Sequence, residues 1–174
     1  MIVPRVRQGL VTCPFSYTCA RAAAIMTADL AAGMRVVDLG CGDGALLVAA
    51  ARRGCLCVGY EIDATVAARA RSRIAAELSP ADAARCTVHC ADVGTVSDGE
   101  LRRAGAVLMF LVPSALALLG PRLRSTLRAG TCVCSYVFPL PDWGPPTEEL
   151  SAPSPDFIVG SEMTGTVYKY VLAE

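Results

Sequence analysis

In Val36-Val37-Asp38-Leu39-Gly40-Cys41-Gly42-Asp43-Gly44 an apolar run meets a carboxylate and then three alternating glycines. Glycine admits positive φ and lets a ligand lie directly against the main chain, so Gly40, Cys41 and Gly42 are candidates to cradle one. About twenty residues later, Gly59-Tyr60-Glu61-Ile62-Asp63 closes a second apolar run with another acid. A carboxylate at the position of Glu61 can accept from both hydroxyls of a ribose through charge-assisted hydrogen bonds. A third acid stands in Cys90-Ala91-Asp92-Val93. Asp92 can accept from an adenine amino group while the N–H of Val93 meets a ring nitrogen. Ile62 and Phe110 are the apolar candidates to sandwich the ring. Three acids, each near the end of one of three successive strands, describe a grip on an adenosine-bearing cofactor at the edge where open α/β sheets bind ligands.

The glycine pattern alone does not name that cofactor, because Gly40-x-Gly42-x-x-Ala45 also satisfies the dinucleotide fingerprint. There the glycines bring a helix N-terminus against a pyrophosphate. Asp38, just ahead of the loop, would repel a pyrophosphate and suits a cation, and Asp43 inside the loop leans the same way. S-adenosylmethionine carries a sulfonium and an amino group and no phosphate. The residues therefore favour S-adenosylmethionine, with S-adenosylhomocysteine as its product, and no metal is expected.

The elements that must hold these residues alternate in type. Ser16 to Ala31 reads as a leading helix, and Arg35 to Leu39 as the first strand. A helix from Gly44 to Arg53, a strand from Cys55 to Glu61 and a helix from Ala64 to Leu78, stopped by Pro80, follow. Cys86 to Ala91 is the third strand, Asp98 to Arg103 a short helix, and Ala106 to Val112 a wholly apolar strand buried on both faces. Ser114 is expected to cap a helix reaching Leu127, and Gly130 to Phe138 is the fifth strand. Pro139 to Pro155 holds six prolines and reads as a surface loop. Phe157 to Glu162 and Thr166 to Leu172, separated by Thr164-Gly165, read as a closing hairpin. The fold class is α/β: a Rossmann-like, seven-stranded, mostly parallel sheet with helices on both faces and a C-terminal antiparallel β-hairpin. One domain spans 1–174, with a cap segment and helix over 1–33, a cofactor-binding core over 34–138, and the Pro-rich loop and hairpin over 139–174.

Composition removes several alternatives. Lys plus Arg and Asp plus Glu each number 16 in 174 residues, so net charge makes no case for wrapping nucleic acid. Arg69, Arg71 and Arg73 share a helix and read as a solvated face. The longest uncharged stretch, Ala104 to Gly120, is broken by Pro113 and is too short for a membrane span. Nine cysteines include no C-x-x-C pair. Cys55/Cys57 and Cys132/Cys134 place both sulfurs of a pair on one strand face, and they read as buried free thiols rather than a zinc site. An odd cysteine count without a secretory signal fits a reducing, cytoplasmic location. The Arg-bearing, acid-poor N-terminus is also compatible with a mitochondrial one.

Arg35 to about Phe138 resembles the class I S-adenosylmethionine-dependent methyltransferases. A narrower similarity rests on Cys13-Pro14-Phe15-Ser16-Tyr17-Thr18, on Phe110-Leu111-Val112-Pro113-Ser114, and on Leu127-Arg128-Ala129-Gly130-Thr131 leading into Tyr136-Val137-Phe138-Pro139-Leu140-Pro141-Asp142-Trp143. This set resembles the small protein-lysine methyltransferases that include the animal enzymes for the ATP synthase c-subunit and the adenine nucleotide translocase. The resemblance implies that the N-terminal segment folds over the cofactor, with Phe15 and Tyr17 near its methionine end. It also implies that Val112, Pro113 and Trp143 line the acceptor side. Unlike the animal members, the chain shows no evident membrane-anchoring leader. The expected partner is a protein lysine, with a small molecule or RNA as alternative acceptors and a silent cofactor-binding protein as the non-enzymatic one. DNA amino-methylating enzymes hold a flipped base with a polar residue, prolines and an aromatic after the fourth strand. Phe110-Leu111-Val112-Pro113 stands there instead. No cysteine between Cys90 and Cys132 offers the nucleophile of a cytosine-C5 enzyme.

Methyl transfer from a sulfonium needs alignment and exclusion of water more than an enzyme nucleophile. A lysine acceptor must arrive deprotonated. Asp142 is a candidate to take its proton or simply a loop residue. Tyr17 is a candidate to orient the acceptor or to pack the cap. Trp143 either faces the substrate or closes the end of the core. His89, the single histidine, reads as structural.

Overall fold

A computed structural model describes residues 20–152 and 165–173 of the chain. The strands β1 (Arg35–Leu39), β2 (Leu56–Glu61), β3 (Cys86–Cys90), β4 (Ala106–Met109), β5 (Cys132–Tyr136), β6 (Glu148–Ala152) and β7 (Gly165–Val171) form one sheet in the order β3-β2-β1-β4-β5-β7-β6. The first five are parallel, and β7 runs antiparallel between β5 and β6. The Rossmann-like sheet read from the sequence is therefore the observed one.

Side chains alternate between two cores, as strand geometry requires. Val36, Cys57, Leu108 and Cys134 face α1 (Ala20–Met26), α2 (Ala45–Arg52), α3 (Ala64–Glu77) and α4 (Pro80–Ala83). Val37, Leu39, Val107 and Met109 face α5 (Asp98–Arg103) and α6 (Pro113–Thr126). All four residues of β4 are buried, which is why that strand is apolar throughout.

Caps set the helix starts. Asp63 accepts from Thr65 N at 2.8 Å and Val66 N at 3.0 Å, and Ser97 accepts from Glu100 N at 3.1 Å. Pro80 does more than stop α3: it is the first residue of α4, behind the Ser79 cap. The expected Ser114 cap is corrected in the same way. Pro113 opens α6, and Val112, with φ −67° and ψ 153°, is the boundary residue. Proline suits the first helical position because it lacks an N–H there and forces an extended conformation on its predecessor.

The closing hairpin exists with different strands. β6 lies inside the stretch read as loop and pairs from Glu148↔Lys169 to Ala152↔Gly165. Gly165 is thus a ladder residue and not a turn. The physical reason is proline placement: Thr147 to Ala152 contains none, so its N–H groups can join a ladder. As an edge strand it carries exposed Glu148, Glu149 and Ser151. The expected strand over 157–162 lies outside the described residues. β2 and β5, which carry Cys57 and Cys134, are separated by β1 and β4.

The glycine loop is locked by a close approach. A Cβ on Gly44, at φ +83°, would meet the Ala70 main chain of α3 at 3.2 Å. Gly44→Ala is expected to cost about 1–2 kcal/mol of stability, read by chemical denaturation, from left-handed backbone strain alone. An unchanged midpoint would show that α3 simply shifts and the turn relaxes.

Candidate cofactor site

Asp38, Glu61 and Asp92 come together at the carboxyl edge of three adjacent strands. Asp38 pairs in register with Gly59 of β2 and Leu108 of β4, Glu61 is the last residue of β2, and Asp92 follows β3. Asp38 is fully buried, and neither carboxylate oxygen has a hydrogen-bond partner among the described residues. Burial, reinforced by the nearby charges of Glu61 and Asp43, pushes its pKa up to about 8. A buried acid with no donor is expensive unless a ligand supplies one.

The glycine loop above it is already committed. Gly40 and Cys41 both donate their N–H to Tyr60 O at 2.9 Å, and Gly44 N donates to Cys41 O at 2.9 Å. Gly42 N donates to Glu61 Oε2 at 3.1 Å and Ala45 N to Asp43 Oδ1 at 3.3 Å. A pyrophosphate site needs such N–H groups turned toward the ligand. Here they hold the loop to β2 and to its own carboxylates. The buried acid and the spent donors both disfavour a diphosphate.

Glu61 does two jobs. Besides Gly42 N, it takes Asp63 N at 2.9 Å on Oε1. Both oxygens keep a lone-pair direction for further donors, since a carboxylate accepts about four hydrogen bonds. Asp92 caps a single 3-10 turn over Val93–Thr95 through Gly94 N at 2.7 Å. Asp43 turns outward to Arg73 at 2.7 Å, and Arg73 also pairs with Glu77 at 3.1 Å. Burial raises the Asp43 carboxyl, with the Arg73 guanidinium opposing that shift. Asp43 therefore ties the loop to α3. Arg71 is exposed and donates to Val88 O at 2.8 Å, Arg73 is half-buried, and Arg69 faces solvent.

Ile62 projects beyond β2 at 51% exposure, and Val93 packs half-buried against the core. Phe110 follows β4 and stacks on Tyr136 with ring centroids 4.9 Å apart. β1 lies between β2 and β4, the strands that Ile62 and Phe110 follow. His89 sits 5.1 Å from Tyr60, centroid to centroid, within β3. Val112 is half-buried and Pro113 exposed at the N-terminus of α6, on the cofactor edge.

Asp142 and Trp143 pack along the middle and end of α6, apart from Val112 and Pro113 at its start. Trp143 Nε1 donates to Gly120 O in mid-α6 at 3.2 Å, and its ring meets Tyr170 edge-on at 5.5 Å. Tyr170 pairs with Val133, near the start of β5 and away from the cofactor edge. Asp142 is exposed and its carbonyl accepts from Arg124, toward the end of α6. The Trp143 indole closes the core between α6 and β7. Trp143→Ala should cost about 2–3 kcal/mol in chemical denaturation and leave cofactor affinity unchanged by calorimetry; a large affinity loss would return it to the site. Phe15 and Tyr17 lie outside the described residues.

Two positions escaped the sequence reading. A Cβ on Gly59 would strike Leu47 Cδ1 at 2.7 Å and Cys41 Sγ at 2.8 Å, so this strand glycine is what lets the loop lie down on β2. A glycine inside an apolar strand was its signal. Val137, just past β5, holds φ 72°, an uncommon conformation for a β-branched residue. Its N–H donates to Thr166 O at 2.7 Å. Nothing in residue type marks such strain.

Residues 38–147 match the family model described as the ANTKMT methyltransferase domain. The chain belongs to this family. Among relatives of this methyltransferase domain, the mouse adenine nucleotide translocase lysine N-methyltransferase is 38% identical over 112 residues, covering 64% of this chain and 46% of that protein. A protein-lysine N-methyltransferase of Saccharolobus islandicus is 31% identical over 142 residues and 80% of each chain is covered. The chain thus spans under half the length of the mouse relative. The solved structure of an RNA methyltransferase from Salinibacter ruber in complex with S-adenosyl-L-homocysteine superposes with TM-score 0.71 at 26% identity, covering 89% of this chain and 90% of that one.

The residues fit S-adenosylmethionine. Asp38 has acceptor oxygens with no partner among the described residues, which an amino group could satisfy, and Glu61 retains acceptors for a ribose.

Proposed function

We propose that this chain transfers a methyl group from S-adenosylmethionine to the ε-amino group of a lysine in a protein. The observation that carries the cofactor assignment is the buried, unpartnered Asp38 beneath a loop whose N–H groups are spent. The acceptor assignment is supported by the mouse and Saccharolobus relatives, both of them lysine N-methyltransferases. When bound, S-adenosylmethionine supplies a methyl group already activated by a sulfonium. Asp38 holds the amino acid end, Glu61 the ribose, and Asp92 with Val93 the adenine edge, while Ile62 covers one ring face. Gly40, Cys41 and Gly42 form the floor, and Asp43 braces it through Arg73. Phe110, Val112 and Pro113 line the approach of the acceptor, beside the strained turn at Val137. Aligning donor and acceptor there, away from water, can supply up to about 10 kcal/mol of the barrier. A dry approach also favours the neutral amine that the acceptor lysine must present.

No helix among the described residues is long and apolar enough to cross a membrane. A reducing compartment, such as the cytoplasm, suits the seven free cysteines of those residues. Because the Salinibacter neighbour is an RNA methyltransferase, the test must separate the two acceptors. Cell extract, methyl-labelled cofactor and the protein are incubated, and the product is split between protease and ribonuclease. Label that is lost to protease and recovered as methyl-lysine is expected. Label released by ribonuclease would replace the protein acceptor with RNA.

A further inference from the structure

At the amino edge of the sheet, opposite Asp38 and Glu61, β5 begins with Cys132 and Cys134 on one face. Their Sγ atoms are 3.7 Å apart. Cys132 is half-buried and lines a cavity of about 220 Å³, with Met26, Leu30, Met34 and Leu150 among its apolar walls. Lys169, the single lysine of the chain, borders the same cavity with its side chain 13% exposed. It is ion-paired to Asp29 and, at 3.3 Å, to Glu148. Cys134 lies deeper, its Sγ 3.8 Å from Met26 O.

This arrangement separates an attacking from a resolving thiol. The contact with Cys134 and the Lys169 ammonium hold the Cys132 thiol below its ordinary range, against burial and the carboxylates of Asp29 and Glu148. The same contact and deeper burial push Cys134 up. Cys57 and Cys86 also share a hydrogen bond, but the charge that acts on Cys86 is the carboxylate of Asp82, which opposes ionisation. A thiol that borders a cavity and has a second thiol within reach is the geometry of disulfide exchange.

We propose that Cys132 and Cys134 form a thiol–disulfide exchange site, reached through the amino-edge cavity, for small uncharged disulfides. The apolar walls and the neutralised Lys169 set that ligand class. Cys132 gives its proton to solvent and its sulfur attacks one sulfur of the small disulfide. That S–S bond breaks, a mixed disulfide forms, and one small thiolate leaves and takes up a proton. Cys134 then loses its proton and attacks the Cys132 sulfur, expelling the second small thiol. Two cysteine thiols are oxidised to one disulfide, and one small disulfide is reduced to two thiols. Along a strand, residues two apart stand about 6.6–6.8 Å from Cα to Cα, and their same-face Cβ atoms lie beyond the roughly 3.5–4.5 Å that a disulfide spans, so closure requires β5 to bend locally, the bond forms under strain and small thiols reverse it.

The full chain, reduced and desalted, is exposed to hydroxyethyl disulfide near neutral pH and mapped by peptide mass without reduction. The peptide carrying Cys132 and Cys134 should lose the mass of two hydrogens. In Cys134→Ala the same peptide should instead gain one hydroxyethylthio group at Cys132, and in Cys132→Ala Cys134 should stay free. Native iodoacetamide labelling of wild type should alkylate Cys132 faster than the exposed Cys90. Adducts at Cys90 with the Cys132 peptide unchanged, or a persistent wild-type adduct at Cys132 without internal closure, would overturn the proposal. Neither result bears on methyl transfer at the opposite edge.

Discussion

Asp38→Asn is expected to weaken S-adenosylmethionine binding by about 30- to 100-fold, the loss of a charge-assisted contact worth about 2–3 kcal/mol. It should at the same time stabilise the free protein. The sign follows from the upward shift of the Asp38 pKa from 3.8 to about 8 in the fold. Such a group's contribution to stability is intact below pH 4 and is lost as pH rises toward 8. Asparagine does not ionise, so the free variant should resist denaturant better than wild type at pH 8 and equally at pH 4. Binding to the ionised acid releases its proton, so wild-type affinity should climb by about tenfold per pH unit between about pH 6 and 8. The variant should show a flat profile over that window. Calorimetry across pH reads both effects, and a wild-type slope retained in Asp38→Asn would remove Asp38 from the contact.

Glu61→Ala should cost as much or more, because one carboxylate holds the ribose and the loop together. Its removal strands Gly42 N and Asp63 N, now satisfied at 3.1 Å and 2.9 Å, and takes away the ribose acceptor. About 100-fold in affinity and about 1–3 kcal/mol in stability are expected. The charge of Glu61 also raises the Asp38 pKa, so the midpoint of the affinity profile should move to lower pH in Glu61→Gln. A variant that binds like wild type would show that the ribose is held elsewhere.

The core of this fold was legible because its signals are local. β1 and α5 fall where apolar run, cap and glycine put them, and the strand-end acids emerge on neighbouring strands. The C-terminal region was misread for a non-local reason: β6 is an exposed edge strand of mixed polarity, and its pairing with β7 is set by the sheet. Trp143 left two readings open, facing the substrate or closing the core, because an indole in a Pro-rich loop carries no mark of direction. Only the fold shows Gly120 and Tyr170 receiving it. The same holds for Asp43, whose partner Arg73 is a helix away and not predictable from spacing. The commitment of the loop N–H groups to Tyr60 O and Glu61 is likewise tertiary, yet it sharpens the choice of cofactor that Asp38 alone suggested.

The most direct measurement is isothermal titration of the full chain with S-adenosylmethionine, S-adenosylhomocysteine and NAD under one buffer. Micromolar binding of the two adenosyl amino acids, with no heat from NAD, is predicted by a buried acid under a donor-poor loop. Micromolar NAD binding with silence from both sulfur compounds would contradict it.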